Sequence, residues 1–357
     1  VDFTTTEAQR DLAALTRDIV ARYSTDDVQR QLDSRPDGID RALWGVLGTS
    51  GVLSAATPNS VGGDGFGVLE AASIAVELGR GIAAVPYVAH WTAVSAIARF
   101  GTDEQRHEWA APAALGSSIL TVALDEDDTV SARETATGWT LSGTMTCVDS
   151  APIADGIVVA AVDGVYLLRP SDPGVAVTSQ HGVDNRSIGE LELTSVAVDS
   201  VRRLAESAAA QQVRAWLTLL TCAYQVGVLE ESLAVTANYA RERVQFGKPI
   251  GSFQAVAQRL ADAYIDVKGA RLTMWKAAWA VSAGRDADDD VAVAKFWAAD
   301  AGHRVAHTLV HVHGGVGLDR DHPVHRYFLA AKRAEFAYGA ATSTLRRLGA
   351  ALAAVPA

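Results

Sequence analysis

The sequence predicts an α+β chain in three consecutive parts: an N-terminal α-helical domain over residues 1–116, a central antiparallel β domain over 117–204 and a C-terminal four-helix-bundle domain over 205–357. Three observations carry the prediction. Apolar residues recur at helical spacing as far as Gly116, short β-prone runs bounded by Gly, Asp, Ser and Pro follow to Arg203, and long helical periods return from Ala205. A chain of 357 residues, 49% hydrophobic and 20% charged, has the length and balance to bury a sizeable core.

In the first part Thr6 and Glu7 open an amphipathic run, and residues 69–79 form a second that is expected to stop on its glycine. Residues 58–67 lie between them and are rich in glycine. A phosphate-cradling loop there would need a β-branched strand before it and Lys-Ser/Thr after it, and both are missing, so the stretch reads as a turn ahead of a helix. In the second part residues 119–124, 139–141, 157–162, 165–168 and 191–198 read as strands of a small sandwich or barrel. Asp163-Gly164, between two of them, is the dipeptide of a tight type I′ hairpin, whose central residues both take positive φ. In the third part Leu260, Tyr264, Val267, Arg271, Met274, Ala278 and Val281 recur in steps of three and four, the stripe of a helix packed along its length. Residues 286–290 make a charged turn into the next helix, which runs to Gly314-Gly315.

Charge and cysteine usage narrow the function classes. Lys and Arg total 31 against 42 Asp and Glu, a formal net charge of −11 that disfavours a nucleic-acid surface, because such binding neutralises phosphates with clustered cations. Cys147 and Cys222 are too few for a disulfide framework and suit a reducing cytoplasm. The N-terminal residues lack the basic-then-apolar order of a secretory signal, and no run of ~18 apolar residues supplies a membrane span, so a soluble cytoplasmic protein is expected.

Chemistry concentrates in two stretches. Arg241-Glu-Arg243-Val-Gln245-Phe246-Gly247-Lys248-Pro249 leads on to Phe253-Gln254: one helix ends, the chain turns on Gly247 and Pro249, and another helix begins. Arg243, Lys248 and the free N–H groups of the new helix start can converge there on an anion, with an ordinary connection carrying solvated basic residues as the equal alternative. The second stretch, from His311 through His313-Gly314-Gly315 to Arg326, puts two glycines after a long helix, where a backbone without Cβ lets a ligand approach closely. His303, His307 and His311, spaced by four, could share a helix face as metal ligands. No His-Glu-x-x-His or Glu-x-x-His pattern accompanies them, so no metal is expected. There is no Gly-x-Ser-x-Gly elbow, and Cys222 in an apolar helical run reads as a buried, inert thiol.

Together these residues resemble the acyl-CoA dehydrogenase family over nearly the whole chain. The resemblance is carried by residues 58–67 with Glu77-Leu-Gly-Arg80, by Asn185-Arg186 through Val201, and above all by Arg243-x-x-Phe246-Gly247 with Phe253-Gln254, Gly314-Gly315-x-Gly317 and Pro323-Val324. It implies the helical, β, helical architecture and FAD at a subunit interface. It further implies a half-site in which Arg243, Gln245 and Phe246 meet the pyrophosphate and adenosine side of a flavin held mainly by the neighbouring chain, beside Phe253, Gln254, His311, Gly314 and Gly315. His311 stands where the family usually has Gln.

The resemblance breaks where the family does its chemistry. A glycine-rich loop and a Trp-Ile-Thr type strand usually hold the flavin ring; here residues 124–131 read Leu-Asp-Glu-Asp-Asp-Thr-Val-Ser and residues 147–149 read Cys-Val-Asp. The carboxylates at 125–128 would repel the flavin's phosphates. The family's Glu base, usually in Tyr-Glu-Gly, gives way to Ala337-Tyr338-Gly339, and its alternative position falls near Leu217. Gly and Leu carry no base and Tyr has a pKa near ~10, which leaves Glu335, one turn before Tyr338, as the fallback. Such a chain resembles the base-lacking subunit of actinobacterial α2β2 acyl-CoA dehydrogenases of steroid side-chain breakdown. The implied partner is a homologous catalytic subunit that carries the base and most of the acyl-CoA site. The implied reaction of the assembly is α,β-dehydrogenation of an acyl-CoA, with a steroid side-chain thioester favoured, and the chain alone is expected to be inactive; the alternatives are a homomeric dehydrogenase with Glu335 as a displaced base and a non-enzymatic assembly subunit.

Overall fold

The computed structural model describes residues 4–124, 129–161, 163–204 and 208–354. The N-terminal segment holds α1 (Glu7–Tyr23), α2 (Asp26–Leu32), α3 (Arg41–Thr49), α4 (Val52–Ala55), α5 (Val68–Arg80), α6 (Tyr87–Phe100) and α7 (Asp103–Gln105), which widens through a π-helical turn at Arg106–Ala110 into α8 (Ala111–Ala114). Eight strands follow: β1 (Leu120–Leu124), β2 (Ser131–Glu134), β3 (Gly138–Asp149), β4 (Gly156–Ala161), β5 (Gly164–Leu168), β6 (Val175–His181), β7 (Ser187–Asp199) and β8 (Arg203–Leu204). Helix α9 (Ala209–Glu242) then leads through two short strands, β9 (Val244–Gln245) and β10 (Lys248–Pro249), into α10 (Gln254–Ser282), α11 (Asp288–His313), α12 (Val324–Phe336) and α13 (Ala341–Ala353). Among the described residues no helix is long and apolar enough to cross a membrane. By packing, the chain forms two compact units, one of residues 22–71 and 84–217, the other of residues 1–21, 72–83 and 218–357.

The first of these units contains strands β1 to β8. They lie in two four-stranded sheets, ordered β1-β4-β5-β8 and β2-β3-β7-β6, that share one core in which Leu141, Val159, Tyr166, Leu168, Leu191 and Val196 are fully buried. This is the expected sandwich, with one correction to its antiparallel description: β1 and β4 pair in parallel. The chain leaves β1, runs β2 and β3 in the other sheet, and returns beside β1 in the same direction. The hairpin between β4 and β5 forms, but Gly164 stands inside β5, opposite Ala161, rather than in the turn. Strands β2 and β6 are not foreshadowed by apolar runs. Both are edge strands with mostly exposed or half-exposed residues, so they carry little hydrophobic signal. Helix α6, buried along most of its length, carries His90, whose Nε2–H donates to Ala113 O (3.0 Å) and whose Nδ1 accepts the Leu120 N–H (3.1 Å). That ring therefore ties the end of α8 to the start of β1.

In the second unit Thr6 and Gln9 cap α1 reciprocally, Gln9 N–H to Thr6 Oγ1 at 3.1 Å and Thr6 N–H to Gln9 Oε1 at 2.8 Å. Helix α5 does not stop at Gly79. A Cβ there would lie 2.0 Å from Tyr224 O, and one on Gly227 of α9 would lie 1.8 Å from Val76 O, so the two glycines let α5 and α9 cross almost backbone to backbone. Glu77, buried on α5, receives Arg17 at 2.9 and 2.8 Å and Arg80 at 3.1 Å. Helix α10 is packed along one side: of the expected stripe Val267, Met274 and Ala278 are buried and Leu260, Arg271 and Val281 half-buried, but Tyr264 is 54% exposed, and Ala263, Asp266 and Ala270 are buried beside it. Arg304 of α11 explains the buried carboxylate, donating twice to Asp266 at 2.7 Å.

Candidate functional site

Arg243 stands just past the end of α9. Its N–H donates to Tyr239 O (2.9 Å) and its C=O accepts the Ile250 N–H (2.8 Å), which closes the connection into a loop. Inside the loop β9 and β10 pair antiparallel, Gln245 opposite Lys248 and Val244 opposite Pro249, so Phe246 and Gly247 alone make the turn. Their φ values of 54° and 78° are the signature of a type I′ turn, with phenylalanine in a region that side chains other than Asn and Asp rarely enter. The tip projects into solvent: Phe246 is 92% exposed, edge-on to Phe253 at 6.1 Å, and the Lys248 ammonium lies 4.6 Å from the centre of the Phe253 ring. Gln254 is the exposed first residue of α10, whose start has no side-chain cap and so leaves N–H donors free. Among the described residues neither Arg243 nor Lys248 has a carboxylate partner.

The second stretch lies at the end of α11. His311 is exposed; His313, the last helical residue, is buried; Gly314 follows with φ 63° and ψ −136°, a backbone state reserved for glycine. A Cβ built on Gly314 or Gly315 would meet nothing within 4 Å, so the turn faces open space, whereas one on Gly317 would come within 2.9 Å of Val310 Cα. The two stretches meet through rings that the sequence reading did not single out. Tyr239, one turn before Arg243, stacks on His313 with centroids 4.3 Å apart and planes 23° apart. Arg243, Gln245, Phe246, Phe253 and Gln254 thus share one end of the helices with His311, Gly314 and Gly315. Unpaired cations, free helix-start donors, an exposed aromatic ring and an open glycine turn fit a ligand with a pyrophosphate and a flat base, such as the adenosine diphosphate part of FAD.

No proton acceptor stands where the resemblance would put one. Tyr338 and Gly339 follow α12 with φ of 55° and 104°, and a Cβ at 339 would sit 3.2 Å from the buried Thr344 Oγ1. Leu217 is buried and apolar. The fallback Glu335 is also buried; its carboxylate accepts from Lys332 Nζ at 2.6 Å and lies 3.2 Å from His303 Nδ1, so it is held in an ion cluster. Sequence reasoning missed Lys295, which is fully buried and donates to Ala334 O (2.7 Å) and Glu335 O (3.2 Å) at the end of α12. A lysine within an Ala-rich helix gives no sign of such burial. Burial pushes the Cys222 thiol up to about 11, in keeping with an inert core cysteine. Cys147 is exposed at a bulge of β3, its N–H bonded to Gln180 Oε1 at 2.8 Å. The acidic residues 125–128 lie outside the described residues.

The chain matches known proteins over nearly its full length. The model of the acyl-CoA dehydrogenase N-terminal domain matches residues 6–117 and that of the C-terminal domain matches residues 196–353. The acyl-CoA dehydrogenase FadE27 of Mycobacterium tuberculosis is 52% identical over 373 residues, covering 100% of both chains. Among solved structures, the ChsE4-ChsE5 complex from Mycobacterium tuberculosis contains a chain that superposes with a TM-score of 0.97 at 52% identity, covering 100% of each. A Tcur3481-Tcur3483 steroid ACAD variant gives 0.93 at 36% identity, over 97% of this chain and 98% of that one. Matches to both terminal domains and a half-identical relative of equal extent leave one assignment: the chain belongs to the acyl-CoA dehydrogenase family, oxidoreductases whose cofactor is FAD.

Proposed function

We propose that this chain is the subunit without a base in a heteromeric acyl-CoA dehydrogenase, and that it supplies the adenosine-diphosphate half of an FAD site shared with a homologous, base-bearing partner. The observation that carries the proposal is the backbone at the end of α12. Position 339 is a glycine at φ 104°, a conformation that L side chains rarely adopt, and the neighbouring carboxylate of Glu335 is neutralised by Lys332. Proton abstraction from the α-carbon of a thioester is therefore assigned to the partner. FAD, when bound, supplies the hydride acceptor of the α,β-dehydrogenation. This chain's part is binding: Arg243 offers a charge-assisted donor to a phosphate, Gln245 an amide, Phe246 a ring face, and the Gly314–Gly315 turn a backbone without side-chain obstruction.

The heteromeric reading is supported by the likeness to the ChsE4-ChsE5 complex, and a steroid thioester as substrate by the likeness to the Tcur3481-Tcur3483 steroid ACAD. Purification of the chain alone, and then with a co-expressed homologous partner, tests the proposal through the flavin absorption spectrum and acyl-CoA turnover. The chain alone is expected to be colourless and inactive and the pair to be yellow and active. Stoichiometric FAD or turnover in the isolated, folded chain would overturn the reading.

A further inference from the structure

We infer that the Tyr239–His313 ring stack is the positioning element of this site, holding Arg243 and the Gly314–Gly315 turn together as one binding surface. This rests on the cofactor reading above. Among the described residues no hydrogen bond joins residues 243–250 to residues 311–318, and the stack of Tyr239 on His313 is a ring contact that joins the two helix ends. His313 is 5% exposed, so little of its ring is open to a ligand. Its Nδ1–H is spent within its own helix, on Leu309 O at 2.8 Å, which fixes the ring's direction and leaves its face for Tyr239. Burial lowers the pKa of this imidazole, in keeping with a neutral ring stacked on a phenol. The His322 ring, 6.1 Å from His313, is held in turn by the Val324 N–H on its Nδ1 at 3.3 Å.

Each ring governs one half of the surface. Tyr239 is the residue whose C=O receives the Arg243 N–H, so the placement of its ring and the exit of the hairpin are coupled through one helical turn. His313 directly precedes Gly314, and the turn folds back on it: a Cβ at Gly317 would lie 3.3 Å from His313 Cβ. A lost stack frees each half to move without the other. Both halves must reach one ligand at the same time, so the loss weakens binding without removing any contacting group.

The test uses the complex of this chain with its partner, carrying His313→Ala, His313→Phe or Tyr239→Leu. His313→Phe keeps a flat ring and drops the bond to Leu309. Amide hydrogen exchange is followed over residues 243–250 and 314–318, and FAD loss after dilution is timed. His313→Ala and Tyr239→Leu are expected to speed exchange in both segments together and to release FAD about three- to tenfold faster, with His313→Phe close to wild type. Faster exchange confined to 314–318 in His313→Ala, or a Phe variant no better than the Ala variant, would overturn the inference. Coupled exchange with FAD retention unchanged, in these variants and in Arg243→Ala alike, would uphold the ring link and overturn the cofactor reading instead.

Discussion

Arg243 is available to a ligand because no described residue of its own chain neutralises it. Arg17, Arg80 and Arg304 each hold a carboxylate within 3.1 Å, whereas Arg243 has none among the described residues. If its guanidinium meets the pyrophosphate, Arg243→Ala should cost about 1.5–3 kcal/mol of FAD binding, roughly ten- to a hundredfold, with assembly intact. Flavin content of the gel-filtered complex on serial dilution measures this, and an unchanged content would return Arg243 to the solvated surface. Glu335 makes the opposite case. Its carboxylate is buried against Lys332 and His303, so Glu335→Gln should leave turnover of the complex within about threefold, as expected for a group off the proton-transfer path. A fall of ~10²-fold at full flavin content would make Glu335 the base. At this scale the sequence showed which residues were unusual but not what they touch. Arg243, Phe246 and Gly314-Gly315 stand out as types at fixed spacing; Lys295 and the Tyr239–His313 stack do not, because burial and ring pairing depend on where distant helices cross.

Elements were legible where hydrophobic period is strong and obscure where it is weak. The class of each long helix follows from its period, and the loop between α9 and α10 from Gly247 and Pro249. The hairpin inside that loop was not legible, because its type I′ turn begins with Phe246, a residue type that seldom takes positive φ. The burial of Asp266 on α10 was hidden for a related reason: it counts as polar by type, yet Arg304 makes its burial tolerable. His90 gives the element scale a measurable consequence. Burial pulls its pKa down to about 4, while in the unfolded chain it titrates near ~6.5. Between those values the unfolded state binds the proton and the folded state does not, so this contribution to stability is complete above pH ~6.5 and drains as pH falls towards 4, by about 3 kcal/mol. His90→Gln keeps a donor and an acceptor without the titration. Urea midpoints from pH 7 to pH 4 should fall less steeply in that variant than in wild type, and parallel curves would refute the tie between α8 and β1 as the titrating element.

For the molecule as a whole, the proposed site is complete only between unlike chains. Each flavin needs one face for its ring system and another for its adenosine diphosphate. In the proposed reading this chain offers the second face, built from Arg243, Gln245, Phe246, Gln254 and the Gly314–Gly315 turn, while its sequence at 125–128 is acidic. The three-part order of helices, strands and helices was readable from the sequence, since period alone separates the parts. The most direct measurement is flavin absorbance against protein mass in the purified complex, with native mass spectrometry fixing the subunit ratio. One FAD for each pair of unlike chains, two in an α2β2 tetramer, is the predicted result; four per tetramer would show that a site with its ring face in this chain also fills, and would contradict the assignment of this subunit to half of a shared site.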